Sequence, residues 1–296
     1  MSLINGSTRW VLFLSASNEP EDRHIFDLAF GLYCLTTAGI NLSDIFIYVD
    51  GKNRAWINSI IANGSSTGVT IKESKDFFSD QAANKYENMV MFVTGHGSLS
   101  GIDSSLPITP YKMLHCLKSS PNLVKAVVYL GQCYAGTFNY IAAGKKPNAQ
   151  GVYDPDVIFM GATNLHDSVS SSTTEQFAGG PLAWVANLFL LHVFKWICVP
   201  VDVDGDGKFT IMDAYKYAGA SSNGLNKNIK ARSFVNSIGH HSRWVAAQNA
   251  HAAAPTPQNQ LALSAIQVQY ELELGVLYTH QECWILNSIP AQQIEI

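Results

Sequence analysis

The chain has 296 residues, is 47% hydrophobic and 14% charged, and carries a formal net charge of −4. That is enough apolar material for one large α/β domain, alone or with an appendage, and it excludes a disordered chain. The absence of a basic block argues against direct nucleic-acid binding, no apolar run approaches the roughly 18 residues of a membrane span, and the N-terminal stretch lacks a basic-then-apolar signal design, so the expected location is cytoplasmic.

Residues 10–15 (WVLFLS) are predicted as the first strand. A polar loop follows to Asp22, and Arg23 and His24 open a helix that Gly39 stops. Residues 44–49 (DIFIYV) form a second strand, 54–62 a short helix, 69–72 a short strand or loop, and 76–85 a helix. Residues 89–93 (MVMFV) are the third strand, with His96 beyond its end. Thr109 caps a helix that runs to Ser119 with Pro110 in its first turn, and 124–130 is the fourth strand, ending just before Cys133. A fifth strand spans 156–160, a polar loop 170–174, and a long helix 181–196, within an apolar run 181–200 broken by Asn187, His192 and Lys195. Residues 250–260 (AHAAAPTPQNQ) look like a linker, and the apolar stretches 261–270 and 272–284 could complete the sheet or pack beside it. The alternation predicts an α/β fold with a mostly parallel sheet covered on both faces, whose ligand crevice lies beyond the carboxyl ends of the strands. Residues 1–200 are expected to form the core, and 201–296 a C-terminal part packed on it.

Five scattered cysteines without a CxxC suggest neither a disulfide framework nor a zinc site. Cys133 stands apart, because a strand delivers it to a glycine-punctuated turn (LGQCYAG), just as the preceding strand delivers His96 within TGHGS. A thiol needs a base to become a nucleophile, and an imidazole can later protonate the leaving amine. The N–H groups of Gly97 and Cys133 could form an oxyanion hole, while Gly131 and Gly136 would let a substrate backbone lie close.

The apolar strand with His96-Gly97-Ser98, the next strand with Cys133, and the early pair Arg23-His24 resemble the caspase-like cysteine peptidases of clan CD, nearest to the legumain group. The stretch MFVTGHG is also similar to the transamidase subunit that attaches lipid anchors. The likeness covers about residues 10–189 by order and spacing of elements. It implies a caspase-like three-layer sandwich and a cysteine endopeptidase acting on a protein or peptide substrate, and it leaves room for a regulatory protein partner. It also implies that Arg23 lines the pocket for the substrate residue before the scissile bond (P1). Acidic companions expected near that arginine are replaced by Gly131 and by Gly179 or Gly180, which would leave Arg23 without a carboxylate and favour an acidic or Asn-like P1. By the same likeness Glu21 or Asn18 would orient His96, Gln132, Ser168 and Ser170 are the further pocket candidates, His24 is structural, and the stretch 142–154 is a plausible self-cleavage segment. The same motifs would suit a non-catalytic caspase-like binding module, or a transamidase or ligase in which an amine replaces water.

A second motif is DVDGDGKFTIMD. Asp202, Asp204 and Asp206 fall at positions 1, 3 and 5 of a calcium loop, Gly207 at 6, the Lys208 carbonyl at 7, Thr210 at 9 and Asp213 at 12. Hard oxygen ligands at alternating spacing suit Ca²⁺, in a structural or regulatory role.

Overall fold

The computed structural model describes residues 2–279 and 281–296. They divide into two compact units, 1–222 together with 281–296, and 223–280.

The first unit is built on a sheet. In chain order it contains β1 (Thr8–Leu14), α1 (Asp22–Thr37), β2 (Ile45–Val49), α2 (Arg54–Ile61), β3 (Ile71–Lys72), α3 (Ser74–Ala82), β4 (Asn88–Thr94), β5 (Gly97–Ser98), β6 (Gly101–Ile102), α4 (Pro110–Lys118), β7 (Lys125–Leu130), β8 (Asp156–Gly161), β9 (Ser170–Phe177), β10 (Gly180–Asn187) and α5 (Leu188–Cys198). The start of α6 (Ile211–Ala253) belongs to it. After α7 (Pro257–Tyr278), β11 (Trp284–Leu286) and α8 (Ser288–Ala291) return to it.

The sheet has seven strands in the order β11-β8-β7-β4-β1-β2-β3. All pairs are parallel except β11 with β8. β1 and β4 are buried along their whole length, which explains why they read as continuous apolar runs rather than alternating ones. One face carries Phe13, Met91, Val93, Val128 and Leu130 against Phe77 of α3 and Met113 and Leu117 of α4. On the other, Phe92 meets Phe194 of α5, and Tyr129 meets Phe189. There α1 packs on both α2 and α5, and Gly31 lies flat under the Phe194 ring, leaving no space for a side chain. The result is helices on both faces of a mostly parallel sheet.

The sequence reading differs from this architecture in three places. Residues 170–174 are not a loop, and the long helix begins only at Leu188. Between them β9 and β10 form an antiparallel hairpin, turning at Gly179-Gly180. Its inward side alternates with period two through Trp184 and Ala186, while Ala183 and Val185 face out. Trp184 and Phe177 meet edge-on and pack with tilted rings against Phe30 of α1, fastening the hairpin to that helix. Residues 284–286 supply the antiparallel edge strand, with the Trp184-like bulk of Trp284 lying over Gly161. The linker-like stretch is mostly helical, since α6 reaches Ala253 and α7 starts at Pro257.

The self-cleavage candidate 142–154 is a largely exposed loop in the first unit. Lys118 Nζ holds its base by donating to the Gly144 and Pro155 carbonyls and to Asp154. The second unit is a helical hairpin of the later part of α6 with α7. Ser233 donates to Glu273, and the rings of His241, Trp244 and Tyr270 cluster. No helix among the described residues is long and apolar enough to cross a membrane.

Candidate active site

Register fixes where the two chemical loops emerge. Val93 of β4 lies opposite Leu130 of β7, and the Gly131 N–H donates to the Val93 carbonyl at 2.8 Å. His96 and Cys133 therefore leave adjacent strands on the same carboxyl edge of the sheet. Gly95 turns the chain at a φ of 113°, in the region open to glycine. The two loops are then in direct contact. A Cβ added to Gly97 would stand 2.3 Å from the Cys133 carbonyl oxygen and 2.6 Å from Gln132 Cγ.

His96 is half exposed, and its Nε2 lies 2.7 Å from Glu21 Oε1. Of the two orienting candidates, Glu21 makes this contact, while Asn18 bonds Ser17. Glu21 occupies the N-cap position of α1 but does not cap it. Its other oxygen accepts from Arg23 Nε at 2.5 Å. The Arg23 bond, with help from His96 and against a smaller opposing effect of burial, holds the Glu21 carboxyl down at about 2.

Cys133 Sγ accepts the Ser168 N–H at 3.3 Å. Burial pushes its thiol pKa up and the Asp167 carboxylate adds to this, while the Ser168 N–H and the Arg23 charge act the other way. A thiol in that state needs a proton acceptor before it can attack. Tyr134, immediately after it, sits in the left-handed region at a φ of 55°. That conformation costs on the order of 1–3 kcal/mol in a non-glycine residue. It is held by the Tyr134 N–H donating to the His166 carbonyl at 2.8 Å and by Thr137 donating back to the Tyr134 carbonyl.

Beneath both loops lies a buried polar network that the sequence did not reveal. Asp27 on α1 accepts from Thr94 Oγ1 at 2.9 Å, Trp184 Nε1 at 3.0 Å and the Asn187 N–H at 3.2 Å. Asn187 in turn donates to the Gly131 carbonyl at 2.6 Å and to Ser168 Oγ at 3.0 Å, and its own oxygen caps α5. The residue that merely interrupts an apolar run in the sequence is the tie between hairpin, Cys133 loop and helix. Its only sequence signal was an N-cap residue type at the start of a helical pattern.

The other expected site residues fall as follows. Arg23 Nη1 donates to Ser170 Oγ at 3.1 Å, so these two meet. Arg23 does have a carboxylate neighbour, Glu21, which removes the premise for an unpaired arginine. Ser168 touches Cys133. Gln132 is 1% exposed and packs inward against Gly97, so it does not line an open pocket; neither of its amide atoms has a partner among the described residues. Gly131 and Gly136 make room for Leu190 and for Asn164, not for substrate. Beyond β1 and β2 an open polar cleft of about 760 Å³ is lined by residues including Ser17, Asn18, Asp50, Lys52 and Lys75. Asp103 joins it to the edge that carries His96, its N–H donating to the His96 carbonyl and its carboxylate accepting from Ser17.

In the aspartate loop, Asp202, Asp204 and Asp206 each offer an oxygen within 4.8 Å of the others. Gly205 and Gly207 take left-handed φ values of 77° and 80°, which fold the loop around Asp202, whose oxygens accept both glycine N–H groups. Asp204 also meets Lys216 Nζ at 2.6 Å. Lys208 contributes its N–H to Asp206. Asp213 is not part of the cluster. It is buried, its carboxylate takes the Thr210 and Val203 N–H groups, and Thr210 Oγ1 accepts the Asp213 N–H in return. This reciprocal pair is the capping box of α6. Burial opposes ionisation of Asp213, yet the bonds from Thr210 and Val203 prevail and lower its pKa. The all-oxygen donor set at Asp202, Asp204 and Asp206 suits a hard cation.

Comparison with known proteins finds no matching family model and no matching curated protein.

Proposed function

We propose that this protein is a caspase-like cysteine endopeptidase of the legumain type, with Cys133 as nucleophile and His96 as general base and then general acid. The observation that carries this reading is the contact of Gly97 with the Cys133 backbone, which sets the histidine loop against the cysteine loop. His96 takes the Cys133 proton, and the sulfur attacks the scissile carbonyl. The N–H groups of Gly97 and Cys133 hold the resulting oxyanion. Collapse expels the amine, protonated by His96, and leaves a thioester that water hydrolyses.

Arg23, bonded to both Glu21 and Ser170, reads P1. A guanidinium beside a carboxylate offers a donor and an acceptor together, which favours an Asn-like carboxamide over an acid. The polar cleft beyond β1 and β2 receives neighbouring substrate residues. The aspartate loop binds Ca²⁺ through Asp202, Asp204, Asp206 and the Lys208 carbonyl, and stabilises the entry to α6.

The test is cleavage profiling of a peptide library with the full chain, Cys133→Ala and Arg23→Ala. Expected are cleavage after Asn that Cys133→Ala abolishes and a lost P1 preference in Arg23→Ala. Undiminished cleavage by Cys133→Ala would refute the nucleophile, and an unchanged P1 profile in Arg23→Ala would refute the pocket.

A further inference from the structure

Glu21, His24 and His96 form a second constellation at the same edge. Each offers one ligand atom, and these atoms all lie within 4.8 Å of one another. The rings of His24 and His96 meet edge-on with centroids 5.1 Å apart. His24 is 4% exposed, and its Nε2 has no hydrogen-bond partner among the described residues. A buried imidazole nitrogen left unpaired is costly unless something takes its lone pair or proton.

The other nitrogen of that ring is supported from behind. His24 Nδ1 lies 3.3 Å from Thr94 Oγ1 and 3.8 Å from Asp27 Oδ2. Metal-bound histidines commonly have such a partner, a carboxylate or hydroxyl that fixes the ring and its tautomer. The site is thus rigid on one side. On the other, Glu21 and His96 are half exposed. Bonds of about 2.0–2.1 Å to zinc place tetrahedral ligands about 3.3 Å apart, and the three ligand atoms already lie within 4.8 Å of one another.

We propose that Glu21, His24 and His96 bind a zinc-class divalent cation. Two imidazoles and one carboxylate are borderline ligands that select Zn²⁺ over Ca²⁺ or Mg²⁺. Arg23 holds Glu21 Oε2 and leaves Oε1 to the metal; water completes the shell. The consequence for activity rests on the proposed peptidase reading: a metal on the His96 ring takes the lone pair that would accept the Cys133 proton, so the ion is a reversible inhibitor. The metal site itself does not depend on that reading.

The binding experiment is therefore independent of cleavage. The full chain is titrated with Co²⁺, followed by the visible absorption of the four-coordinate ion, and then with Zn²⁺ in competition. The proposal expects one ion at this site, displaced by Zn²⁺, with affinity weakened by more than about 100-fold in His24→Gln and in Glu21→Gln, since even loss of a residue supporting a ligand costs about 10–100-fold. Cys133→Ala and Asp204→Asn retain binding. Should buried His24→Gln not fold, the exposed Glu21→Gln decides. No binding, unchanged affinity in Glu21→Gln, or loss of the signal in Cys133→Ala or Asp204→Asn overturns the site and leaves the peptidase reading standing. Zn²⁺ bound at this site without slowing the alkylation of Cys133 by a thiol-reactive peptide overturns the inhibitory role.

Discussion

Gly97→Ala is the sharpest probe of the proposed dyad, because it alters neither reacting group. An alanine Cβ would stand 2.3 Å from the Cys133 carbonyl oxygen, a backbone atom, and 2.6 Å from Gln132 Cγ. A tolerable carbon–oxygen contact begins at about 3.3 Å, so the two loops must part by about 1 Å. Overpacking of this kind costs about 1–3 kcal/mol of stability, a fall in Tm of several degrees for a unit of this size. The catalytic cost is larger in proportion: a displacement of about 1 Å between reacting groups slows turnover on the order of 100-fold, or about 2.7 kcal/mol of barrier. The assay pairs a melting curve with the rates of peptide cleavage and of Cys133 labelling by a peptidyl probe. A folded Gly97→Ala that cleaves within threefold of the parent would refute the argument that this contact sets the geometry of Cys133 and His96.

Other predictions concern charge and the aspartate loop. Glu21 has a folded pKa of about 2 against an ordinary 4.5, so its pairing is fully present above 4.5 and fades as pH falls towards 2; Glu21→Gln should flatten that part of the denaturation midpoint against pH, and an identical acid limb in both proteins would count against the pairing. Saturating Ca²⁺ at 100 times Kd should add about 2.7 kcal/mol, raising Tm by about 5–10 °C and reversing with chelator, whereas Asp202→Asn removes the response. Asp213→Ala should instead lower Tm by an amount equivalent to about 1 kcal/mol with or without calcium, since it breaks the capping box; a loss of calcium response alone would show that Asp213 is a ligand.

The strands were legible because burial on both faces leaves an unmistakable apolar run, as in MVMFV and KAVVYL. The helices of the first unit were legible through caps such as Thr109 with Pro110. What failed was discrimination by period where the period is short. Residues 181–186 are apolar enough to extend α5 on composition and show no alternation in the sequence; the period of two appears only in burial, with Trp184 and Ala186 inside and Ala183 and Val185 outside. In the candidate site, His96 and Cys133 were visible at strand ends, Glu21, Arg23, Ser168 and Ser170 came only through the family resemblance, and Asp27 and Asn187 were not seen at all. Asp27 and Asn187 are 160 positions apart, and their bond is set by how the hairpin packs on α1. Gln132 misled because adjacency to the cysteine says nothing about which way an inward-packed side chain points.

That packing explains why Asp27 is so deeply placed. One of its oxygens holds Thr94, two residues before His96, and the other holds the Asn187 N–H, whose side chain grips Gly131 and Ser168 on either side of Cys133. Burying a carboxylate is unfavourable unless several donors meet it, and here three do, from the strand β4 and the β10 segment. Because both loops hang from the same group, neither can shift without straining the other. The placing of the Cys133 and His96 loops is thereby tied to α1, the helix that also carries Arg23 and His24, so the proposed dyad, substrate pocket and metal site all depend on one element.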